Sequence, residues 1–245
     1  VDTVGLWTVF GSEVLGTGIL LLLGVGVVAN VVLPKTNGNN SGWIVIIFGW
    51  GLAVFAGVFA GATSGAHINP AVTVGLLVSG TEEYAPGVEV SVASTLVYFA
   101  GQLLGAFLGA VVAYLAYYGH YNDPDAAGTQ LGTFATGPAI GTVKDNVVTE
   151  VVGTFVLVYI ILRFGDTPSQ LGPLAVALLV VGIGASLGGP TGYAINPARD
   201  LGPRLAHAVL PIRGKGGSNW GYAWVPIVGP VIGAVLAGLL SHVNV

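Results

Sequence analysis

Charge is what this chain has least of. Of its 245 residues, seven are Lys or Arg and eleven are Asp or Glu, 7% together. A soluble domain carries about 25% charged residues to cover its water-facing surface. With 53% hydrophobic residues and a mean hydropathy of +0.84, the surface must instead face lipid, and the chain reads as an integral membrane protein. So little polar sequence leaves no room for a separate soluble domain. Cysteine is absent, which excludes disulfides, thiolate metal sites and cysteine catalysis. Methionine is absent as well, even at position 1, which leads us to expect a processed, trimmed or engineered chain. No basic run suggests nucleic acid, and a net charge of -4 is too small to imply an electrostatic partner. The four histidines, His67, His120, His207 and His242, share no metal-ligand spacing. With no nucleophile–base pair and no phosphate loop, neither an enzyme nor a cofactor or metal is expected. Val1–Asp2–Thr3 lacks the basic run of a signal peptide, and the apolar stretch behind it is too long for one.

What is present is apolar sequence in blocks. Six stretches read as spanning helices: about Leu6–Leu33, Gly42–Gly61, Val90–Tyr118, Val143–Phe164, Pro173–Leu187 and Trp220–His242. An acidic loop with Glu82, Glu83 and Glu89 precedes the third, and the polar segment Gly119–Gly141 reads as a loop. Two further stretches, Ser64–Gly80 and Thr191–Leu210, are too short to span, and each contains Asn-Pro. Asn is a good N-cap and Pro is favoured in the first helical turn. Each stretch therefore reads as a loop that dives inward and starts a short helix at Pro70 or Pro197. Non-helical backbone at membrane depth is tolerated only where it is buried in protein or lines a water-filled cavity.

The chain repeats itself. Ser64-Gly-Ala-His-Ile-Asn-Pro-Ala71 matches Thr191-Gly-Tyr-Ala-Ile-Asn-Pro-Ala198 at an offset of 127. Glu13-Val-Leu-Gly-Thr17 matches Glu150-Val-Val-Gly-Thr154, and Gly101-Gln-Leu-Leu-Gly-Ala106 matches Gly229-Pro-Val-Ile-Gly-Ala234. Three landmarks in one order mean two halves of three spans, about 1–118 and 143–245, joined by a loop at about 119–142 in one transmembrane domain. An odd number of spans per half turns the second upside down, and inverted repeats place a site near the midplane at the ends of broken helices.

These motifs, SGAHINPAVT and GYAINPARD in halves that carry matched ExxGT segments, resemble the aquaporin (major intrinsic protein) family over nearly the whole chain, and within it the glycerol facilitators. The resemblance implies an all-α membrane protein with six transmembrane helices, two re-entrant half-helices and an inverted 3+3 repeat. It implies a passive channel for glycerol, other small neutral solutes and water. Asn69-Pro70-Ala71 and Asn196-Pro197-Ala198 would meet head to head, each helix N-terminus carrying about half a positive charge and each Asn amide donating to a passing oxygen. Gly65, Ala66 and His67 would line the pore through a ladder of carbonyls. Glu13 and Glu150, the carboxylates in the middle of apolar spans, would accept N–H groups from the two loops. A proton relay is their rival role.

The resemblance further places Trp50, Gly184, Tyr193 and Arg199 at the narrowest point. Arg199, two residues after Pro197, would bind permeant oxygens and repel cations; Val72 holds the matched place in the first half. Gly184 would make room for the ring of Tyr193, giving a slot apolar on one side and donor-lined on the other, and no histidine of the kind typical of water channels occupies these positions. The tryptophan of glycerol facilitators stands twenty residues before the first Asn-Pro-Ala asparagine, whereas Trp50 stands nineteen before Asn69 and the twentieth is Gly49. One residue is about 100° around a helix, so one of the two faces the pore. The local run Gly49-Trp50-Gly51-Leu52 favours Trp50. Asp200 would steady the second half-helix and its loop.

Lys35, Lys144, Arg204, Arg213 and Lys215 fall in segments that the resemblance puts outside as loops, against the positive-inside tendency. It implies both termini cytoplasmic, a plasma (inner) membrane location and a homotetramer surrounded by lipid. A water-selective channel of the same fold is the first alternative, and a secondary transporter, which also uses inverted repeats, the second.

Overall fold

In the computed structural model, residues 3–140, 142–166 and 171–243 are described. Val1 and Asp2 of the expected N-terminal segment and Gly141 at the end of the expected polar loop lie outside them. The helices and strands follow in the order α1 (Leu6–Val32), α2 (Trp43–Ala60), α3 (Pro70–Val78), β1 (Glu83–Ala85), β2 (Val88–Glu89), α4 (Val92–Ala116), α5 (Tyr118–Tyr121), α6 (Gln130–Phe134), α7 (Val143–Arg163), α8 (Pro173–Leu187), α9 (Pro197–Val209) and α10 (Val225–Ser241). Four of them, α1, α2, α4 and α7, have 18 to 27 residues and are long and apolar enough to cross a membrane. The other two expected spans are shorter, 15 residues for α8 and 17 for α10, or about 22 and 26 Å at 1.5 Å per residue. A turn at 220–224 leads into α10 and accounts for the rest of that apolar stretch. Leu104 and Leu108 of α4, and Ile232 and Leu236 of α10, are exposed large apolar residues at matched positions of the two halves. They form outward faces suited to lipid.

Glycine sets how closely the spans approach. A Cβ on Gly101 would lie 3.0 Å from the Cβ of Glu13, and one on Gly229 would lie 2.6 Å from that of Glu150. One turn further, Cβ atoms on Gly105 and Gly233 would each lie 2.4 Å from a backbone oxygen, of Val14 and Val151 respectively. So α4 lies on α1 as α10 lies on α7, with small residues at both crossings, as expected for helices that associate by packing alone. Because the obstacle is backbone, it cannot swing aside. Gly105→Leu is expected to cost about 3 kcal/mol, the upper range for overpacking, read as an earlier thermal unfolding transition in detergent; an unchanged transition would mean that this crossing can open without penalty.

The half-helices are exchanged between halves. α3, from the first, lies against α10, and α9, from the second, lies against α4. A Cβ on Gly202 of α9 would meet the Cβ of Ala106 at 2.5 Å, and one on Gly238 of α10 would meet the carbonyl of Gly75 in α3 at 2.8 Å.

Four expectations are corrected. The segment from Gly119 to Ile140 is not a plain loop: it holds most of α5, a 3₁₀ turn at Pro124–Ala126 and α6. These pieces are too short for periodicity to reveal, and tertiary burial of Tyr121, Ala126 and Phe134 holds them. The acidic loop is a small antiparallel hairpin in which Tyr84, Ala85 and Val88 point inward while Glu83 and Glu89 stay exposed. Arg204 is not in a loop at all but inside α9, fully buried. Lys144, likewise, is in the first turn of α7. On the surface Lys35 pairs with Asp123 at 2.6 Å and Asp125 at 3.3 Å. These bonds raise the lysine pKa, and that of Asp123 is lowered by the bond from Lys35.

Candidate pore and constriction

Two matched loops, 64–69 and 191–196, do the work that ordinary secondary structure does elsewhere. Glu13 accepts Ser64 Oγ at 2.5 Å and the His67 N–H at 3.0 Å on one oxygen, and the Ile68 N–H and Gln102 Nε2 at 2.8 Å each on the other. Glu150 accepts Thr191 Oγ1 at 2.7 Å and the Ala194 N–H at 2.9 Å on one oxygen and the Ile195 N–H at 2.8 Å on the other. Both carboxylates are fully buried, and a buried carboxylate survives when its lone pairs are met in this way.

These bonds hold a backbone that would not form by itself. Ala66, Ile68, Tyr193 and Ile195 all have positive φ, between 39° and 51°. For a β-branched residue that is an outlier, and such residues cost about 1–3 kcal/mol each unless their surroundings over-determine them. With the N–H groups turned to the glutamates, the carbonyls turn elsewhere. Among the described residues no donor of the chain reaches the carbonyl oxygens of Gly65, Ala66 and His67, or those of Gly192, Tyr193 and Ala194. Those acceptors belong to residues that line cavities.

Where the loops end, the half-helices begin. Asn69 Oδ1 accepts the Ala71 N–H at 2.9 Å, and Asn196 Oδ1 accepts those of Ala198 and Arg199 at 3.0 and 3.1 Å. Each amide nitrogen crosses to the other loop: Asn69 Nδ2 donates to Ile195 O at 2.8 Å and Asn196 Nδ2 to Ile68 O at 2.9 Å. The two N-termini are thus locked face to face. An amide carries two hydrogens, so one on each Asn remains beyond the crossed bond, and both residues line the inner cavity.

That cavity holds about 230 Å³, and a second of about 390 Å³ lies beyond it. Trp50, Tyr193 and Arg199 line both, so they stand where the two spaces join. The Arg199 guanidinium carbon lies 3.9 Å from the ring centre of Trp50, within cation–π range, and Nη1 donates to Phe134 O at 3.4 Å. Gly49 faces the other way: a Cβ there would strike Val27 at 2.4 Å. Gly184 borders the ring of Tyr193, since its Cβ would lie 2.7 Å from Cζ. Much of the inner cavity's lining is aliphatic, with Leu20, Val54, Val58, Val72, Leu157 and Val180. Gly65, Ala66 and His67 line this cavity too. His67 is bonded at both ring nitrogens, to Thr73 Oγ1 at 2.9 Å and to Tyr84 O at 3.2 Å. Asp200 lines neither cavity and is joined to Thr136, which lines the second, and to Arg204.

The structure thus brings Trp50, Gly184, Tyr193 and Arg199 together and sets Asp200 behind them. Several neighbours were not singled out from the sequence. Trp43 meets Tyr193 edge-on at 5.8 Å and donates Nε1–H to Gly184 O at 3.1 Å. Gly24 leaves the space that the Trp50 ring fills, its Cβ lying 2.2 Å from that ring. Gln102 stands inside the matched Gly101–Ala106 segment, and that repeat was its available signal. The carbonyl of Phe134 had none.

Six spans in an inverted repeat, with two half-helices meeting tip to tip beside a pair of joined cavities, define a multi-pass membrane channel of the aquaporin fold. The chain belongs to the family described as "Major intrinsic protein", whose profile matches residues 1–241. Among curated relatives, a glycerol uptake facilitator protein of Streptococcus pneumoniae is 53% identical over 94% of this chain and 96% of its own length. The glycerol uptake facilitator protein of Bacillus subtilis is 52% identical over 96% of this chain and 84% of its own. Among solved structures, the X-ray structure of the aquaglyceroporin from Plasmodium falciparum superposes with a TM-score of 0.79 at 31% identity, covering 96% of this chain and 95% of the other.

Proposed function

We propose that the chain is a passive channel that conducts glycerol and other small uncharged polyols, with water, while excluding protons and ions. The observation that carries this reading is the corner formed by Trp50 and Tyr193 beside Arg199. Its aromatic faces suit the carbon backbone of a polyol, and the guanidinium suits the row of hydroxyls. The bare Gly184 leaves room for the Tyr193 ring, and among the described residues no histidine narrows the corner. The glycerol facilitators above, similar over nearly the full chain, support the same substrate class.

In this reading Asn69 and Asn196 use their remaining amide hydrogens to turn each passing oxygen, with Pro70, Ala71, Pro197 and Ala198 starting the half-helices whose positive ends oppose cations. The carbonyls of Gly65, Ala66 and His67 accept from permeant hydroxyls. Glu13, Glu150 and Asp200 are scaffold and carry no proton current. The domain is one channel of two repeats, about 1–118 and 143–245, with a connecting segment at about 119–142. Its exposed apolar faces support packing as a homotetramer in lipid, in the plasma (inner) membrane with both termini cytoplasmic.

Proteoliposomes placed in hyperosmotic glycerol test the function. They are expected to shrink and then re-swell as glycerol enters. Shrinkage without re-swelling beyond that of empty vesicles would indicate the water-selective alternative, and saturable, ion-coupled uptake would indicate a transporter. Tyr193→His combined with Gly184→Cys is expected to lower the glycerol-to-water permeability ratio by about tenfold, the effect of small shape changes in a tight site. An unaltered ratio would count against the filter assignment.

A further inference from the structure

Glycine is a poorer helix former than alanine, because it gives up more backbone freedom, so a buried glycine inside a helix needs a reason. Where α1 meets α2 and α4 the reason is backbone. A Cβ on Gly16 would come within 2.9 Å of Gly57 O, and those on Gly105 and Gly109 would strike the carbonyl oxygens of Val14 and Gly18. Gly24, buried in α1, is different. The three atoms nearest its Cβ position all belong to the Trp50 indole, Cε3 at 2.6 Å with Cζ3 and Cη2 closer still. Three neighbouring ring atoms at such similar distances place that Cβ over the ring's face, not beyond its edge. The space of one missing methyl is what seats the ring.

Pushed off α1, the ring has one way to go. Gly24 lines neither cavity, whereas Trp50 lines both. The Arg199 guanidinium carbon lies over the ring, 3.9 Å from its centre, and Arg199 lines both cavities as well. A group that displaces the indole from α1 therefore drives it into the passage between the two spaces. The helix cannot withdraw instead, because α2 is pressed on α1 at Gly49 and on α8 at Gly51, where a Cβ would strike Val27 and Val181 respectively. Carbon atoms rest about 3.5–4.0 Å apart, so a methyl at position 24 must shift the ring by about 1 Å.

We propose that Gly24, a residue outside the pore, is a positioning residue that sets the aperture of the constriction through the Trp50 ring, and with it the preference for glycerol over water. The inference rests on Trp50, Tyr193 and Arg199 being the selectivity filter. Gly24 stands to Trp50 as Gly184 stands to Tyr193, whose Cζ would lie 2.7 Å from a Cβ there. Each aromatic wall of the slot is thus seated in a glycine notch of a neighbouring helix. Alanine at 24 would suit α1 better as a helix former, but it would narrow the slot. Water, the smaller permeant, loses less by that than glycerol.

The ratio of glycerol to water permeability is measured in proteoliposomes for the unmodified protein, Gly24→Ala, Trp50→Leu and the double variant. Gly24→Ala is expected to lower the ratio by about tenfold, the effect of a methylene-sized misfit in a tight site, while the protein still shows a folded thermal transition in detergent. In the Trp50→Leu background no ring fills the notch, and the same substitution is expected to leave the ratio within about twofold. An equal loss in both backgrounds would overturn the proposal, since a distorted α1 acts without the ring. So would an unaltered ratio in Gly24→Ala. A Gly24→Ala protein that does not fold would overturn it too, because the ring would then have no room to yield towards the pore. In all three cases the glycerol reading stands. Unmodified protein that passes no glycerol above empty vesicles would overturn both, and the two failures are thereby distinguished.

Discussion

Glu13→Ala is expected to lower stability by at least about 3 kcal/mol, the cost of stranding even two buried donors. Four donors lose this acceptor at once: the His67 and Ile68 N–H groups, which have no other among the described residues, and the Ser64 hydroxyl and Gln102 amide, which keep Gly61 O and Thr73 Oγ1. The left-handed turns at Ala66 and Ile68 would then lack what holds them, and the first loop should relax out of the cavity wall. Glu150→Ala strands three donors among the described residues, the Thr191 hydroxyl and the Ala194 and Ile195 N–H groups, so it should cost a similar amount. Thermal unfolding in detergent checks this, with both variants expected to unfold below the unmodified protein. Equal stability of all three would show that the loops hold their shape without the carboxylates. A proton-relay role makes a different prediction, namely loss of a proton current with little change in stability.

The second large effect is at the constriction. Arg199→Val removes the cation that lines both cavities and puts there the residue type of Val72, its counterpart in the first half. A unit charge 4 Å away is worth about 4 kcal/mol at an effective dielectric constant of 20, so cation or proton leak is expected to rise tenfold or more. The positive ends of the two half-helices remain, and glycerol and water should still pass. Conductance of vesicles under an imposed potential, recorded alongside swelling, separates the two fluxes. Ionic leak at the unmodified level would assign the exclusion of cations to the half-helices instead.

Much of the architecture is legible in the sequence because lipid enforces simple rules. Long apolar blocks became α1, α2, α4 and α7, and the two Asn-Pro pairs became caps and first turns of α3 and α9. What stayed hidden depends on partners distant in sequence. Gln130–Phe134 is too short to show a period, and its helix exists because Gln130, Thr133 and Phe134 are buried. Arg204 was placed in an outside loop by the resemblance; the Asp200 to Arg204 spacing of about one helical turn was the missed signal. The choice between Gly49 and Trp50 could not be settled by counting back from Asn69. It is decided on α1, where Gly24 leaves a space for the Trp50 ring while Val27 closes off Gly49.

The exchange of half-helices has a consequence for how the molecule comes into being. The surface of α3 is completed by α10, whose residues Val225–Ser241 are synthesised after the other described helices. Chains emerge N-terminus first, so the first re-entrant segment must enter the membrane before its final seat exists. It waits through some hundred and fifty residues of further synthesis, while α9 finds α4 already in place. The two half-helices are therefore unequal in the time at which each finds its seat. A nascent chain stopped before α10 should leave α3 open to protease or to a water-soluble label, and release of the last span should close it.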